Sequence, residues 1–209
     1  MPDEILTRET LLLRLRNKAD DASWAEFAEI YTPLLYAYCQ KRELKHADAA
    51  DIVQDVMRSV SLAMDNFEYD PKKGKFKSWL FTAVRHAVGK HFKQLSKRPL
   101  SVAETSLLDA LAASPSDLEQ DEWERDYQRQ ILAWAIEKIR PEFAPRIWQA
   151  FESTAIHERD SANVAEEIGM TKNAVALAKF RVMKRLKEKA SAIDEERWEQ
   201  EMIEKHQKP

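Results

Sequence analysis

Residues 164–178 read Val-Ala-Glu-Glu-Ile-Gly-Met-Thr-Lys-Asn-Ala-Val-Ala-Leu-Ala, a pattern that few local structures accommodate. Ala165, Gly169 and Val175 stand at offsets of four and then six. That is the spacing of two helices crossing about a tight turn. The small residue lets the helices approach, the glycine takes a left-handed turn, and the valine plugs the gap between them. Val164, Ile168, Met170 and Ala178 fill the remaining inward positions. A second helix held this way has the geometry to enter the major groove of DNA. An ordinary helical hairpin carries similar punctuation, but the basic run that follows favours the DNA-binding reading.

The rest of the chain agrees with helices. Its 209 residues hold three glycines, at positions 74, 89 and 169, and they are rich in Ala, Leu, Glu, Lys and Arg. The expectation is an all-α protein of two helical domains joined by an acidic linker, the second containing the helix-turn-helix. Cys39 stands alone, which removes disulfide frameworks and cysteine metal sites. No apolar run reaches transmembrane length and the N-terminus lacks a signal core, so the cytoplasm is the expected location.

The net charge of -3 conceals segregation. Between Pro71 and Arg98 stand Lys72, Lys73, Lys75, Lys77, Arg85, Lys90, Lys93, Lys97 and Arg98, with no acid among them. From Val102 to Asp126 the sign inverts: Glu104, Asp109, Asp117, Glu119, Asp121, Glu122, Glu124 and Asp126 face Arg125 alone. From Met170 to Ala190 it inverts again, with Lys172, Lys179, Arg181, Lys184, Arg185, Lys187 and Lys189 against Glu188. A charge run ordinarily means a solvated face. Two basic blocks with aromatics nearby, separated by acids, point to nucleic acid.

Apolar periodicity predicts helices over 10–18, 22–42, 47–65, 78–96, 122–140 and 143–156, with one short helix near 104–112. In 47–65 the stripe is Ile52, Val53, Val56, Met57, Val60 and Met64, and Asp51, Gln54, Asp55 and Arg58 fall off it. In 78–96, stepping about 100° per residue from Arg85, the apolar residues occupy roughly 200–340° and Arg85, His86, Lys90, Lys93 and Lys97 roughly 0–140°. One face packs and the other is almost purely basic, as a phosphate-binding face requires. Pro99 and the weak periodicity of 99–121 mark the linker. His46, His86, His91, His157 and His206 show no ligand spacing, and no nucleophile–base set or phosphate-binding glycine loop is present. The chain is therefore expected to be neither an enzyme nor a cofactor or metal protein.

Three stretches carry a family resemblance: Asp-Ala-Ala-Asp-Ile-Val-Gln-Asp-Val-Met at 48–57, Asn-Phe-Glu-Tyr-Asp-Pro-Lys-Lys-Gly-Lys-Phe-Lys-Ser-Trp-Leu at 66–80, and Ala-Val-Arg-His at 83–86. They resemble the second domain of bacterial RNA polymerase sigma factors of the sigma-70 family. Residues 122–190 resemble the fourth sigma domain. The order and the short linker look like the extracytoplasmic-function (ECF) subfamily. The resemblance implies sigma domain 2 over 10–98, the acidic linker over 99–121, sigma domain 4 over 122–190 and a C-terminal extension over 191–209.

It also implies a division of labour in transcription initiation. The helix around 48–64 would dock on core RNA polymerase through Asp51, Gln54 and Asp55. The segment 66–93 would hold the melted non-template strand of the −10 element. Asn66, Tyr69, Phe76 and Trp79 are the base-contact candidates there, with Phe67, Phe81 and part of Trp79 equally suited to the core. Lys72, Lys75, Lys77, Arg85, Lys90 and Lys93 are the phosphate candidates. The recognition helix would begin at Thr171 or Lys172 and present Asn173, Ala176, Leu177, Phe180, Arg181 and Lys184 to the double-stranded −35 element. Asn173 suits adenine, Arg181 suits guanine or phosphate, and Leu177 and Phe180 suit thymine methyls. Basic or hydroxyl residues are common in the family where this chain has Ala176, Leu177 and Ala178, which leaves Leu177 and Phe180 suited to protein contact as well. An anti-sigma factor is a further partner class that the resemblance allows; a membrane partner is not expected. The rival reading is a stand-alone helix-turn-helix regulator acting as a dimer, for which the chain shows no heptad seam; a helical adaptor would not need the basic block at 71–98.

Overall fold

The structure is a computed structural model, and it describes residues 11–64, 76–95 and 102–193. All regular structure among the described residues is helical. The chain divides into two compact units, one of residues 11–130 and one whose described part is 131–193.

The first unit opens with α1 (Leu11–Arg14) and α2 (Asp21–Gln40). α1 is shorter than its apolar residues suggest. Its continuation tightens to i→i+3 bonds, Arg16 N–H to the Leu13 carbonyl and Asn17 N–H to the Arg14 carbonyl. The Asn17 side chain then accepts from the Ala19 N–H and stops the helix. α2 starts on Asp20, whose carboxylate accepts from the Ser23 N–H at 3.0 Å. Phe27, Ile30, Tyr31, Leu34, Leu35 and Tyr38 form its buried stripe. α3 (His46–Ala63) buries Ile52, Val53, Val56 and Val60, and α4 (Phe76–Leu95) buries Leu80, Phe81, Val84, Val88 and Phe92. α2 packs on α3, and α3 on α4.

α5 (Val102–Ala112) packs on α4, and α6 (Asp117–Ile139) follows. α6 begins ahead of the return of apolar periodicity at 122. Ser116 caps it, its hydroxyl accepting from the Glu119 N–H at 3.2 Å. Ser-Asp-Leu-Glu at 116–119 has the serine and glutamate spacing of a capping box, the signal that the apolar period alone passes over. The part of α6 in the first unit buries Trp123 and Tyr127.

In the second unit the end of α6 buries Ile131, Trp134, Ala135 and Ile139. A 3-10 turn (Arg140–Glu142) leads to α7 (Pro145–Phe151), which has proline at its first position. The helix expected over 143–156 changes register: Glu152–Ile156 is a π turn. Inside it the Thr154 hydroxyl donates to the Ala150 carbonyl at 2.7 Å, and Lys179 donates to the Thr154 carbonyl at 3.2 Å. α8 (Ser161–Glu167) and α9 (Lys172–Ser191) complete the unit.

Candidate nucleic-acid interface

α3 presents two faces. Opposite its buried stripe, Asp51, Gln54 and Asp55 are exposed, as the helical period requires. They line a groove whose other wall is Ala83, His86, Ala87 and Lys90 of α4. The α3 wall carries Asp51 and Asp55 with Arg58 beside them, and the α4 wall carries Lys90. Within the same groove His91 Nε2 lies 3.9 Å from Asp48 Oδ1.

On α4, Lys90 and Lys93 are exposed, as expected. Arg85 is not: it is 6 % exposed. Its guanidinium donates to the Ala110 carbonyl at 3.0 Å and the Ala113 carbonyl at 3.3 Å, and Nη2 lies 3.3 Å from Glu119 Oε2. The exposed position expected for Arg85 is not what the structure has: here it is a buried tie. The physical reason lies in its place at the edge of the apolar arc. α5 and α6 widen the packed surface past that edge, with Leu111 Cβ 3.9 Å from where a side chain on Gly89 would begin.

Lys77 is also drawn inward. Its ammonium donates to Glu124 at 2.8 Å and lies 5.4 Å from the centre of the Tyr127 ring. Phe76 is half-buried and turns edge-on to Phe27 at 5.9 Å and Tyr31 at 5.6 Å, so a base reaching it would meet a ring already used by the core. Trp79 stays 40 % exposed beside it. Phe81 is buried. Asn66, Phe67, Tyr69, Lys72 and Lys75 lie outside the described residues.

The partners of Arg85 and Lys77 belong to a larger network. Glu119 accepts from the Tyr38 hydroxyl at 2.9 Å and from Arg42 at 2.5 Å. Lys41 donates to Glu122 and to Asp126, each at 2.6 Å. At its centre the Trp123 indole stacks on Phe81 at 5.3 Å and 27° and meets Tyr38 edge-on at 5.7 Å, while its N–H donates to the Lys77 carbonyl at 3.2 Å. Burial alone would raise the Glu119 pKa. The hydrogen bonds from Tyr38 and Arg42, with the charges of Arg85 and Arg42, outweigh it and hold the carboxyl below its usual range. For Lys41 burial works downward, and the bonds to Asp126 and Glu122 lift the ammonium above its ordinary value. Burial raises the Tyr38 phenol well above normal. Lys41 and Arg42 escaped the sequence reading because they sit at the end of α2, far in sequence from either basic block.

In the second unit, Val164, Ala165, Ile168, Val175, Ala178 and Ala150 form one buried cluster, with Met170 and Ile147 packed on it. Gly169 takes φ +62° between α8 and α9. Asp160 caps α8, accepting from the Ala162 and Asn163 N–H groups at 2.9 and 3.1 Å, and these bonds hold its carboxyl below the usual value. Thr171 caps α9, accepting from the Ala174 N–H at 3.1 Å. Arg146 of α7, which no sequence signal singles out, donates through Nε to the Ile168 carbonyl and through Nη2 to the Gly169 carbonyl, both at 2.7 Å. It satisfies carbonyls that the end of α8 leaves open. Thr171, Lys172, Asn173, Ala176, Leu177, Phe180, Arg181 and Lys184 are all exposed. Leu177 at 47 % and Phe180 at 64 % exposure make an apolar spot in a cationic face.

With this geometry in place, comparison with known proteins adds one finding. Residues 27–98 match the family model of sigma-70 region 2. The match supports a sigma-70 family sigma factor. It spans most of α2, all of α3 and α4, and so contains both walls of the groove between α3 and α4. Proteins of this family are transcription initiation factors rather than enzymes, and the family implies binding to core RNA polymerase and promoter DNA. No curated protein matches the chain. No helix among the described residues is long and apolar enough to cross a membrane, and no cluster of His, Cys, Asp and Glu among them is arranged to hold a metal ion.

Proposed function

We infer that the chain is a sigma factor of ECF type that joins core RNA polymerase, directs it to promoters through −10 and −35 contacts, and helps separate the strands. The observation that carries this reading is the exposed row of Asp51, Gln54 and Asp55 on α3, inside the span matched to sigma-70 region 2. Two carboxylates and an amide on one exposed helix face suit arginines of a partner helix, which carboxylates bind in two-pronged fashion. Across the groove, Lys90 and Lys93 on α4 hold the backbone of the melted strand, and Trp79 offers a ring for an unstacked base.

The second unit reads the −35 element. α8, the turn at Gly169 and α9 act as a helix-turn-helix, with α9 in the major groove. Asn173 and Arg181 have the hydrogen-bonding groups to read base edges, and Leu177 and Phe180 meet thymine methyls. An anti-sigma factor is the natural regulator of such a chain.

The test is capture of purified bacterial core RNA polymerase by wild type and by Asp51→Arg with Asp55→Arg. Capture by wild type that the double change abolishes, with the fold intact by circular dichroism, supports the reading and its docking face. Wild type that captures no polymerase yet binds a specific duplex as a dimer would make the chain a stand-alone regulator.

A further inference from the structure

The network between α6 and the rest of the first unit is hard to explain as a device for stability. Partly buried ion pairs come close to breaking even against separated, hydrated charges, and apolar residues of similar size hold helices together at least as well. Here Lys41 and Arg42, just past the end of α2, and Lys77 of α4 converge around two rings, Tyr38 and Phe81, which meet edge to face at 5.9 Å, with Arg42 over the Tyr38 ring at 3.4 Å. Cations ringing an aromatic face are the ingredients of a single-strand nucleic-acid site, in which a base stacks on the ring and the cations hold the flanking phosphates.

What fills the place now has the same chemistry. The Trp123 indole lies on Phe81 where a base would stack, and its N–H is satisfied by the Lys77 carbonyl. Carboxylates at 119, 122, 124 and 126 bracket the indole in sequence and hold the cations: Glu119 takes Arg42, Glu122 and Asp126 share Lys41, and Glu124 takes Lys77. A flat π system flanked by anions is what a short run of nucleotides presents.

We propose that the Tyr38–Lys41–Arg42–Lys77–Phe81 surface is a second single-stranded DNA site, and that the first turns of α6 occupy it as an internal mimic of that DNA. The inference rests on the reading of the first unit as a promoter-strand binder and adds to it a site and a competitor. Because α6 is on the same chain, its effective concentration at the site is high and it wins in the free protein. A strand arriving with its own charge density, already delivered by the α4 face, displaces it. Single strands are favoured over duplex because the Phe81 face accepts a base only when that base has left its stack.

The test uses the full chain and a fluorescently labelled oligothymidine, read by anisotropy. Replacing Glu119, Glu122 and Glu124 with Gln and Asp126 with Asn removes the mimic's charges, and the expected result is binding at least about tenfold tighter than wild type. Adding Lys41→Gln and Arg42→Gln to that variant should return the affinity to near wild type. The control of equal charge, Arg16→Gln with Lys45→Gln in the same background, should keep most of the gain. If the fourfold variant does not fold, the half-exposed Glu122→Gln alone gives a gain of about threefold in the same direction.

A fourfold variant that binds no more tightly than wild type overturns the inference. So does a gain that Lys41→Gln with Arg42→Gln and the control reduce equally, since that gain reflects net charge alone. Either failure leaves the polymerase-capture result, and with it the sigma-factor reading, untouched.

Discussion

Arg85 offers the sharpest separation between a surface cation and a structural one. The Arg85 and Glu119 side chains are 6 % and 19 % exposed, with 3.3 Å between Nη2 and Oε2. Two unit charges about 4 Å apart attract by about 4 kcal/mol at an effective dielectric of about 20, and desolvation cancels much of that. Removing the guanidinium also takes donors from the Ala110 and Ala113 carbonyls. Glu119 is not stranded, because Arg42 and Tyr38 continue to donate to it. Arg85→Met keeps the apolar stem near Phe81 and loses only the charge-assisted bonds, so it should cost about 2–3 kcal/mol. Lys90→Gln, on the exposed arc of the same helix, should stay within about 0.5 kcal/mol. Arg85→Met combined with Glu119→Gln should show a coupling of about 1–2 kcal/mol. Amide hydrogen exchange read by mass spectrometry on peptides covering 76–95 and 117–130 measures local opening without requiring the whole chain to unfold in one step. Equal protection in Arg85→Met and Lys90→Gln, with coupling below about 0.3 kcal/mol, would refute the buried tie and return Arg85 to the solvent-facing arc.

The other predictions concern the turn, the core and pH. Gly169→Ala should destabilise the second unit by about 1–2 kcal/mol, since φ +62° is costly for any side chain. A Cβ there would also sit 2.7 Å from Arg146 Nη2, and moving that flexible tip loses its bonds to the turn; thermal unfolding followed by circular dichroism gives the shift. Val175→Ala, at a fully buried plug, should cost about 1–3 kcal/mol in the same assay. Glu119 is held below its ordinary 4.5, so its contribution is complete above that value and disappears as pH falls through the lower folded value. The melting-temperature gap between wild type and Glu119→Gln should therefore narrow as pH is lowered from about 6 to about 3, whereas a gap that widens would reverse the assigned sign.

Much of the fold was legible because each helix carries one apolar stripe. The period that singled out Ile52, Val53, Val56 and Val60, and the spacing that singled out Val175 and Ala178, describe residues that are buried. The exposed sets followed by subtraction: Asp51, Gln54 and Asp55 on α3, and Asn173, Leu177, Phe180 and Lys184 on α9. Less legible were features that need a second partner. The capping serine of α6 was written in the sequence at 116–119 but lies outside the apolar period. Arg146 looks like any surface arginine until the carbonyls of Ile168 and Gly169 come within reach of it.

The sequence by itself determined the helical elements, their inner stripes and the alternation of charge along the chain. A helix's inner face depends on residues three and four apart, and those are always visible in order. Only the tertiary structure decided which charges meet. Arg85 became a buried tie and Lys41 and Arg42 became its neighbours because α6, remote from α2 and α4 in sequence, covers the edge of the basic arc. Periodicity describes one element against an unspecified core; the cover on its remaining face comes from a part of the chain whose arrival no local pattern encodes.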